Sequence, residues 1–205
     1  MKLVSIHYLC IMNFSNRQVD IIEAATHLLG NKGIQNLTTK SLAAEIGFSE
    51  PALYRHFKGK TDILESVLTY YQQLLKEGLA HIIQSEESAL MKIQAMMEFQ
   101  FRHFTKNPAV IMVVFAETSF QYNNVLSKAV SEILTQKTSM VARIVEAGKS
   151  EGSIRNDIDT EQMVTMIIGS MRFTLLRWRL SDFNFSLLDE GGKLWNTIEL
   201  LIKAP

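Results

Sequence analysis

Residues 38–57, near the front of the chain, hold the side chains whose types and spacing are best suited to chemistry. Their sequence, TTKSLAAEIGFSEPALYRHF, predicts two short helices joined by a tight turn, with Ala43 where the helices touch and Gly47 in the turn. The second helix is expected to present a solvent-facing row, with Tyr54 at its edge: Glu50, Pro51, Ala52, Arg55 and His56. A helix of this size fits the major groove of a DNA duplex, where its N-terminal residues meet base edges.

The starts of the helices suggest a second chemistry, the binding of phosphate oxygens. Hydroxyl side chains and free backbone N–H groups at the starts of the second and fourth helices are suited to such contacts. Inward-facing apolar residues would hold the two helices of the motif at their crossing angle: Leu42, Ile46, Phe48, Leu53 and Phe57. Many helical corners of this kind bind nothing, so the motif alone leaves DNA binding and a purely structural role both open.

No set of residues in the sequence has the spacing of an enzyme active site. The five histidines are scattered without ligand spacing, and the single cysteine, Cys10, can form neither an internal disulfide nor a zinc site. The sequence has no phosphate-binding loop, no glycine-rich dinucleotide turn and no G-x-S-x-G segment. It therefore predicts a protein that is not an enzyme and has no catalytic residue, metal site or cofactor.

Helical spacing of the apolar residues extends over almost the whole chain from Ser15 onward. Ser15 or Asn16 is expected to cap a first helix that ends at Gly30 and Gly33. The helices expected after it cover residues 40–46, 50–57, 62–79, 86–105, 109–119, 124–151, 160–180 and 187–203. No run alternates with period two, so the predicted fold class is all-α.

The overall composition limits the kind of partner. The chain has 205 residues, and its 21 lysines and arginines balance its 21 aspartates and glutamates, which excludes a uniformly basic coat for nucleic acid. Residues 1–60 carry seven basic side chains against four acidic ones, so an anion-binding surface is expected at the front. Ten glycines and three prolines argue against a turn-rich β architecture.

The first twelve residues are apolar but do not have the pattern of a signal peptide. Their only basic flank is Lys2, Ser5 and His7 interrupt the apolar stretch, and no small-residue cleavage site follows. Two interpretations stay open: an extra helical arm, or a true start at Met12 that makes residues 1–11 a gene-calling artefact. No segment reaches the roughly 18 consecutive apolar residues of a membrane span, so no membrane contact is expected. Because the single cysteine gives no sign of an oxidising compartment, a cytoplasmic protein is expected.

Residues 15–75 resemble the DNA-binding domain of TetR-type transcriptional regulators. The matching positions are Ile22, Ala25, Gly33, Thr38, Thr39, Leu42, Ala43, Gly47, Leu53, Tyr54, His56, Phe57, Lys60, Ile63 and Leu64. The resemblance implies a domain at 15–75 with its helix-turn-helix motif at 38–57. It also implies a helical regulatory and dimerisation core at 76–205, which in this family usually senses a small molecule.

Carried over position by position, the resemblance implies a role for each residue of the motif. The residues expected at phosphate are Thr38, Thr39, Lys40, Ser49, Tyr54 and Lys60. The residues expected at base edges are Glu50, Pro51, Ala52 and Arg55, while His56 can reach either. Glu50 departs from the uncharged residue often found there, and could accept a hydrogen bond from a cytosine amine or repel the backbone and sharpen selectivity. The alternatives are a packing role for His56 and a plain surface position for Tyr54.

Methionines and aromatic residues are spread over the middle helices and could line an adaptable apolar pocket. The residues predicted to bind a small apolar or amphipathic ligand are Met97, Phe101, Arg102, Phe115, Tyr122, Met140 and Arg172. The alternative is that such residues simply fill a helical core, and that Arg102 forms an exposed ion pair with Glu98.

The last two predicted helices are long and rich in large apolar groups, which predicts a homodimer through a four-helix bundle. The residues expected to form it are Ile167, Ile168, Met171, Leu175, Trp178, Leu187, Leu188, Leu194, Trp195, Ile198 and Leu201. The leading hypothesis is a dimeric regulator, most often a repressor, that binds a palindromic operator and is released by a ligand. The alternative is an architectural DNA-binding adaptor of the same fold, of the nucleoid-occlusion type, which contacts a protein partner.

Overall fold

The structure is a computed structural model that describes residues 14–115 (113 and 114 by their backbone alone), residue 120 and residues 123–205. These residues form α-helices and one 3-10 turn, with no strand among them, which confirms the all-α prediction. The helices are α1 Asn16–Lys32, α2 Thr39–Glu45, α3 Glu50–Tyr54, α4 Lys60–Gln84, α5 Ala89–Lys106, α6 Ala109–Val114, α7 Asn124–Ser150, α8 Thr160–Leu180 and α9 Leu187–Ile202. No helix in these ranges is both long enough and apolar enough to span a membrane.

Local sequence signals set most of the helix starts. Ser15 and Gln18 form a reciprocal capping box at the start of α1, and Thr38 and Ser41 form another at the start of α2. Helix α1 ends where Gly33 adopts a φ of 72°, a left-handed backbone conformation that favours glycine.

Two predicted helix ends in the front half are wrong by three residues or more. Helix α3 ends at Tyr54 instead of Phe57, because the backbone N–H groups of His56 and Phe57 both donate to the Leu53 carbonyl and close a tight turn. The turn directs the Phe57 ring into the core. Helix α4 extends to Gln84 instead of residue 79, since Gly78 lies inside the helix against the Phe99 ring and does not end it.

The first of two compact units comprises Met1–Leu74 and Pro108–Ser131. Its core contains Ile21, Ile22, Leu28, Leu29, Leu42, Leu53, Phe57, Ile63, Val67, Val110 and Ile111. Helix α6 packs closely against α1, because Gly30 has no side chain and a Cβ there would lie 2.7 Å from the Cβ of Ala109. The predicted helix 109–119 is observed as far as Val114, and residues 116–119 lie outside the described residues.

The second compact unit comprises Leu75–Asn107 and Glu132–Pro205. Helix α9 packs against both α5 and α8, and Gly191 of α9 gives room for the ring of Phe101 on α5. The buried groups of this unit include Met96, Met97, Phe104, Val141, Met163, Ile167, Met171, Trp178, Trp195 and Ile198. Helix α4 begins in the first unit and ends in the second. The functional division at residues 75 and 76 stays a prediction, because packing alone assigns no function.

Candidate nucleic-acid interface

Helices α2 and α3 form a helix-turn-helix whose turn is fixed by backbone geometry. Gly47 adopts a φ of 68°, and the N–H of Phe48 donates to the Ala43 carbonyl over 2.8 Å. Of the residues predicted to face inward, Leu42, Leu53 and Phe57 are buried, whereas Ile46 and Phe48 are half-buried. The turn therefore holds α3 against α2 and leaves the outer side of α3 in solvent.

The outer side of α3 carries most of the predicted base-contacting residues. Pro51 and Arg55 are exposed, while Glu50, Ala52 and His56 are half-buried. Tyr54 has 52% of its surface exposed, which is high for an aromatic side chain. The His56 carbonyl accepts a hydrogen bond from the side-chain amide of Gln18 on α1 over 3.4 Å, which ties the end of α3 to α1.

The hydroxyls at the start of α2 are engaged within the protein. The Thr39 hydroxyl donates to the Glu50 carboxylate over 2.9 Å and so joins the start of α2 to the first turn of α3. The Thr38 hydroxyl accepts from the N–H of Ser41 over 3.0 Å. The structure thus brings Thr39 and Glu50 together, an interaction that the sequence did not predict, and it orients the carboxylate of Glu50.

Lys60 is also used internally. Its ammonium donates to the Ile34 carbonyl over 2.9 Å and anchors the start of α4 to the 3-10 turn Ile34–Asn36. Partial burial lowers the pKa of Lys60 below its ordinary value. Exposed cations near the motif are Lys40, Arg55 and Lys58.

Sequence reasoning missed two cations that border the motif. Lys58 is exposed directly before α4, where its backbone N–H donates to the Asp62 carboxylate over 2.7 Å. Arg17 of α1 lies over the Phe48 ring, with its guanidinium carbon 5.7 Å from the ring centre. The sequence signal for Lys58 is its position directly before Gly59, in the turn that leads into α4. The sequence around Arg17 gives no sign that its side chain reaches Phe48.

The residues predicted to bind a small molecule are separated by the structure. Met97 and Phe101 are buried in α5, and Met140 of α7 and Arg172 of α8 are half-buried in the same unit. Phe115 belongs to the other unit, and Tyr122 lies outside the described residues. This placement leaves four of the seven predicted residues buried or half-buried within one unit.

Arg102 does not join that interior. It lies on the exposed face of α5 and forms an ion pair with Glu98 one helical turn earlier. It directly follows the buried Phe101, and a step of one residue turns a side chain about 100° around a helix. Arg102 therefore forms the exposed pair that was its alternative, and its contact with a ligand stays a prediction.

Two polar residues inside the second unit were missed by sequence reasoning. The ammonium of the half-buried Lys137 on α7 donates to the side-chain oxygen of the buried Gln100 on α5 over 3.0 Å. Burial, with a smaller effect from the positive charge of Arg172, lowers the pKa of Lys137 to about 8. No local pattern pointed to them, because lysine and glutamine at helical positions usually lie in solvent. Within the described ranges, no group of three or more histidine, cysteine or acidic side chains is placed to hold a metal ion.

Comparison with known proteins gives two family matches that together cover most of the chain. The family described as bacterial regulatory proteins, tetR family, matches residues 21–67. The family described as the C-terminal region of YsiA-like proteins matches residues 62–204. The nucleoid occlusion factor SlmA of Vibrio vulnificus is 23% identical over 190 residues, which are 92% of this chain and 97% of that protein.

Solved structures show the same fold at low sequence identity. FadR from Bacillus subtilis in complex with stearoyl-CoA has a TM-score of 0.80 and 22% identity, over 90% of this chain and 97% of that one. A transcriptional regulator from Saccharomonospora viridis in complex with choline has a TM-score of 0.81 and 19% identity, over 94% of this chain and 100% of that one. Since the YsiA-like match alone spans more than half of it, this chain belongs to the TetR family of transcriptional regulators, which are DNA-binding proteins and not enzymes.

Proposed function

We propose that this protein is a homodimeric repressor that binds a palindromic operator and is released from it by a small apolar or amphipathic molecule. The observation that carries the proposal is the outer side of α3, where Tyr54 and Arg55 are exposed on a helix that the turn at Gly47 holds away from the core. Exposed aromatic and basic groups on the second helix of such a motif suit insertion into a major groove.

In this proposal α3 contacts base edges and its surroundings contact phosphates. Glu50, held by Thr39, would select a base that offers an amine, because a carboxylate accepts from the cytosine amine and repels phosphate. Phosphate contacts would come from Ser49, Tyr54 and the free N–H groups that start α2 and α4. The exposed cations Lys40, Arg55 and Lys58 would add charge at the same surface; the remaining predicted contacts are Thr38, Pro51, Ala52, His56 and Lys60.

The proposed dimer uses α8 and α9, but through a face that shares Leu188 and few of the other residues that the sequence suggested. Most of the large apolar residues assigned to the interface are buried within their own unit, including Ile167, Met171, Leu175, Trp178, Trp195 and Ile198. They are buried because α8 and α9 pack on each other and α9 packs on α5. The stripe that looked available to a second subunit therefore belongs to the core of the first.

A second stripe on each helix is exposed and apolar. On α8 it consists of Gly169, Phe173 (61% exposed) and Leu180 (69% exposed), which follow at intervals of four and seven residues. On α9 it consists of Leu188, Gly192 and Leu200 (82% exposed), which lie at intervals of four and eight residues. A Cβ at Gly169 or Gly192 would meet no atom within 4 Å, so neither glycine is explained by packing among the described residues. Small residues beside exposed apolar ones suit close approach of a symmetric partner.

Ligand control is supported by the family and by the interior of the second unit. The solved relatives carry ligands of opposite charge, stearoyl-CoA in one and the choline cation in another. Similarity of fold therefore does not identify the ligand of this protein, which must be inferred from the residues of this chain. Helix α4, which begins in the first unit and ends in the second, provides continuous structure along which a ligand can bias DNA binding. A coupling of about 1–3 kcal/mol is typical of such control.

The proposal is tested with the double variant Tyr54→Ala/His56→Ala. Duplexes enriched from a random library by the wild-type protein serve as the target, and Arg143→Ala, an exposed position on α7, is the matched control. We expect the double variant to lose affinity at least about tenfold while its far-ultraviolet circular dichroism is unchanged, since its two side chains are proposed DNA contacts. Wild-type affinity in a folded double variant would refute the placement of α3 in the groove.

The similarity to the nucleoid occlusion factor SlmA favours a second candidate, an adaptor that binds DNA and contacts a protein partner. The two candidates differ in what controls DNA binding. A repressor of the proposed kind leaves its operator when its small molecule is added, whereas an adaptor stays on DNA and recruits a second protein there. Titration of a protein–operator complex with candidate ligands, followed by gel shift, separates them.

A further inference from the structure

The first turn of α1 contacts both ends of the segment that contains α3. The Arg17 guanidinium carbon lies 5.7 Å from the ring centre of Phe48, which directly precedes Ser49, the N-cap of α3. The side-chain amide of Gln18 donates to the carbonyl of His56, two residues after α3 ends, over 3.4 Å. Two adjacent residues of α1 are thus held against the helix-turn-helix, although they lie outside its sequence.

Local hydrogen bonds fix the backbone from which the Arg17 side chain extends. The side-chain oxygen of Gln18 accepts from the N–H of Ser15 over 2.9 Å, and the Ser15 hydroxyl accepts from the N–H of Gln18 over 3.3 Å. Arg17 lies between the two members of this capping box. The amide of Gln18 therefore both caps α1 and binds the end of α3, which sets the place of Arg17 beside the motif.

The Arg17 guanidinium keeps most of its hydrogen-bonding capacity. Its side chain has 64% of its surface exposed, and its Nη1 atom donates to the Asp20 carboxylate over 3.3 Å. A guanidinium has five N–H donors in the plane of the group, whereas stacking on an aromatic ring uses its face. An exposed ion pair of this kind is weak because water screens it. Arg17 therefore offers donors that suit the oxygens of a phosphate.

The position of Arg17 beside the start of α3 suits contact with the DNA backbone. A helix in the major groove, which is about 12 Å wide, has a phosphate chain along each of its sides. Groups on a neighbouring element that flank such a helix therefore meet phosphates and not base edges. Arginine binds phosphate through two parallel N–H donors, and a guanidinium that is already held on an aromatic ring loses less freedom on binding.

We propose that Arg17 contacts a phosphate of the DNA duplex from outside the helix-turn-helix, and that the Phe48 ring holds its guanidinium in position for this contact. The inference rests on the proposed function, in which α3 lies in a major groove, and adds a DNA-contacting residue on α1. Because a phosphate contact carries no sequence information, Arg17 strengthens binding to every duplex by a similar factor. In the proposed dimer the contact is made twice.

The test compares Arg17→Gln with Lys32→Gln, which removes an exposed cation at the far end of α1, about 22 Å away along the helix axis. Dissociation constants are measured at several KCl concentrations, on a duplex enriched from a random library by the wild type and on a scrambled duplex. We expect Arg17→Gln to bind both duplexes about tenfold more weakly. The slope of log affinity against log salt should fall in magnitude by about two, since each lost contact contributes about 0.9. Lys32→Gln should match the wild type.

Two further variants separate a direct contact from the effect of charge nearby. Removal of Arg17 leaves the Asp20 carboxylate unpaired, and that charge repels DNA by itself, so the double variant Arg17→Gln/Asp20→Asn restores the net charge of the wild type. We expect the double variant to keep the smaller salt slope, because the contact is still missing. Arg17→Lys keeps the charge and should keep the wild-type slope. A wild-type slope in the double variant, or a slope in Arg17→Lys as small as in Arg17→Gln, overturns the inference.

Failure of the contact is distinguishable from failure of the proposed function. Circular dichroism checks that each variant is folded, which we expect because Arg17, Asp20 and Lys32 are exposed. Equal affinity and equal salt slope in Arg17→Gln and Lys32→Gln, with sequence-preferring binding by the wild type, refute the contact alone. A changed preference between duplexes in Arg17→Gln also refutes it, because that result would make Arg17 a positioning residue for α3. Absence of sequence-preferring binding in the wild type refutes the proposed function, whatever the variants show.

Discussion

Substitution of Lys137 by methionine should change how the stability of the protein depends on pH. The folded-state pKa of Lys137 is about 8, whereas an unfolded lysine keeps a value near 10.5. Between these two values the unfolded chain binds a proton that the folded protein has released. The free energy of unfolding therefore rises with pH in this window, because the cost of burying the charge disappears from the folded state.

The size of the effect follows from the two pKa values. Below about pH 7 both states are protonated, and Lys137 contributes no pH dependence. Raising the pH from about 7 to about 9.5 should stabilise the wild type by about 2 kcal/mol through Lys137 alone. Lys137→Met has no such group and should lack this increment. Loss of the donor to Gln100 adds a cost of about 1–3 kcal/mol at every pH, which shifts the curve of the variant without changing its slope.

Urea denaturation at several pH values measures the difference directly. The protomer concentration must be constant, since the stability of a dimer depends on it. Other titrating groups, such as Tyr70 with a pKa raised to about 12 mainly by burial, act on wild type and variant alike and cancel in the difference. Parallel pH profiles for wild type and Lys137→Met would show that the ammonium is hydrated, and would refute the reasoning from burial.

Three further substitutions test other parts of the structure. Gly191→Ala should destabilise the protein by about 1–3 kcal/mol in urea denaturation, since its Cβ would lie 2.3 Å from a buried aromatic ring, and wild-type stability would count against that contact. Thr39→Val should free the Glu50 carboxylate and relax the base preference at one operator position, measured by competition between duplexes; an unchanged preference would count against Glu50 as a base contact. Phe173→Asp should shift the protein toward monomer in analytical ultracentrifugation, and an intact dimer would remove the exposed stripe of α8 from the interface.

The helices of the chain were predictable because their signals are local. Ser15 and Thr38 precede apolar residues at helical spacing, and each forms the cap that such a hydroxyl favours. The start and end of α8 were predicted as observed, since Asp159 caps its start and large apolar residues recur through to Leu180. The end of α3 was not predictable in this way, because it depends on the Phe57 ring turning into a core built by other helices.

The candidate DNA-binding surface was predictable in outline but not in its hydrogen bonds. Exposure of Arg55 and Tyr54 follows from their positions on an amphipathic helix. The bond from Thr39 to Glu50 joins residues eleven apart, and the bond from Lys60 to Ile34 joins residues 26 apart. Such contacts depend on how helices cross, which periodicity along one helix does not encode.

The same limit explains why most of the apolar residues predicted for the dimer face lie in the core of their own unit. Helices α8 and α9 each carry one apolar stripe that packs within the unit and another, with Phe173 on α8 and Leu200 on α9, that is exposed. A sequence shows that both stripes are apolar but not which one meets the helices of its own chain. The pairing of Lys137 with Gln100 was hidden for a related reason, since each residue alone is typical of a helix surface.

The side chains of Thr38, Thr39 and Lys60 form hydrogen bonds within the protein, and the chain has no net charge. Both features limit how tightly one α3 helix can hold DNA. Electrostatic attraction to phosphates scales with the number of free cations, and few stand beside the motif. A single copy of this surface would therefore bind weakly, and useful affinity would require two copies presented together. A ligand that alters the spacing of the two copies would then release DNA without occupying the DNA-binding surface, which is why an effector site in the second unit can be effective.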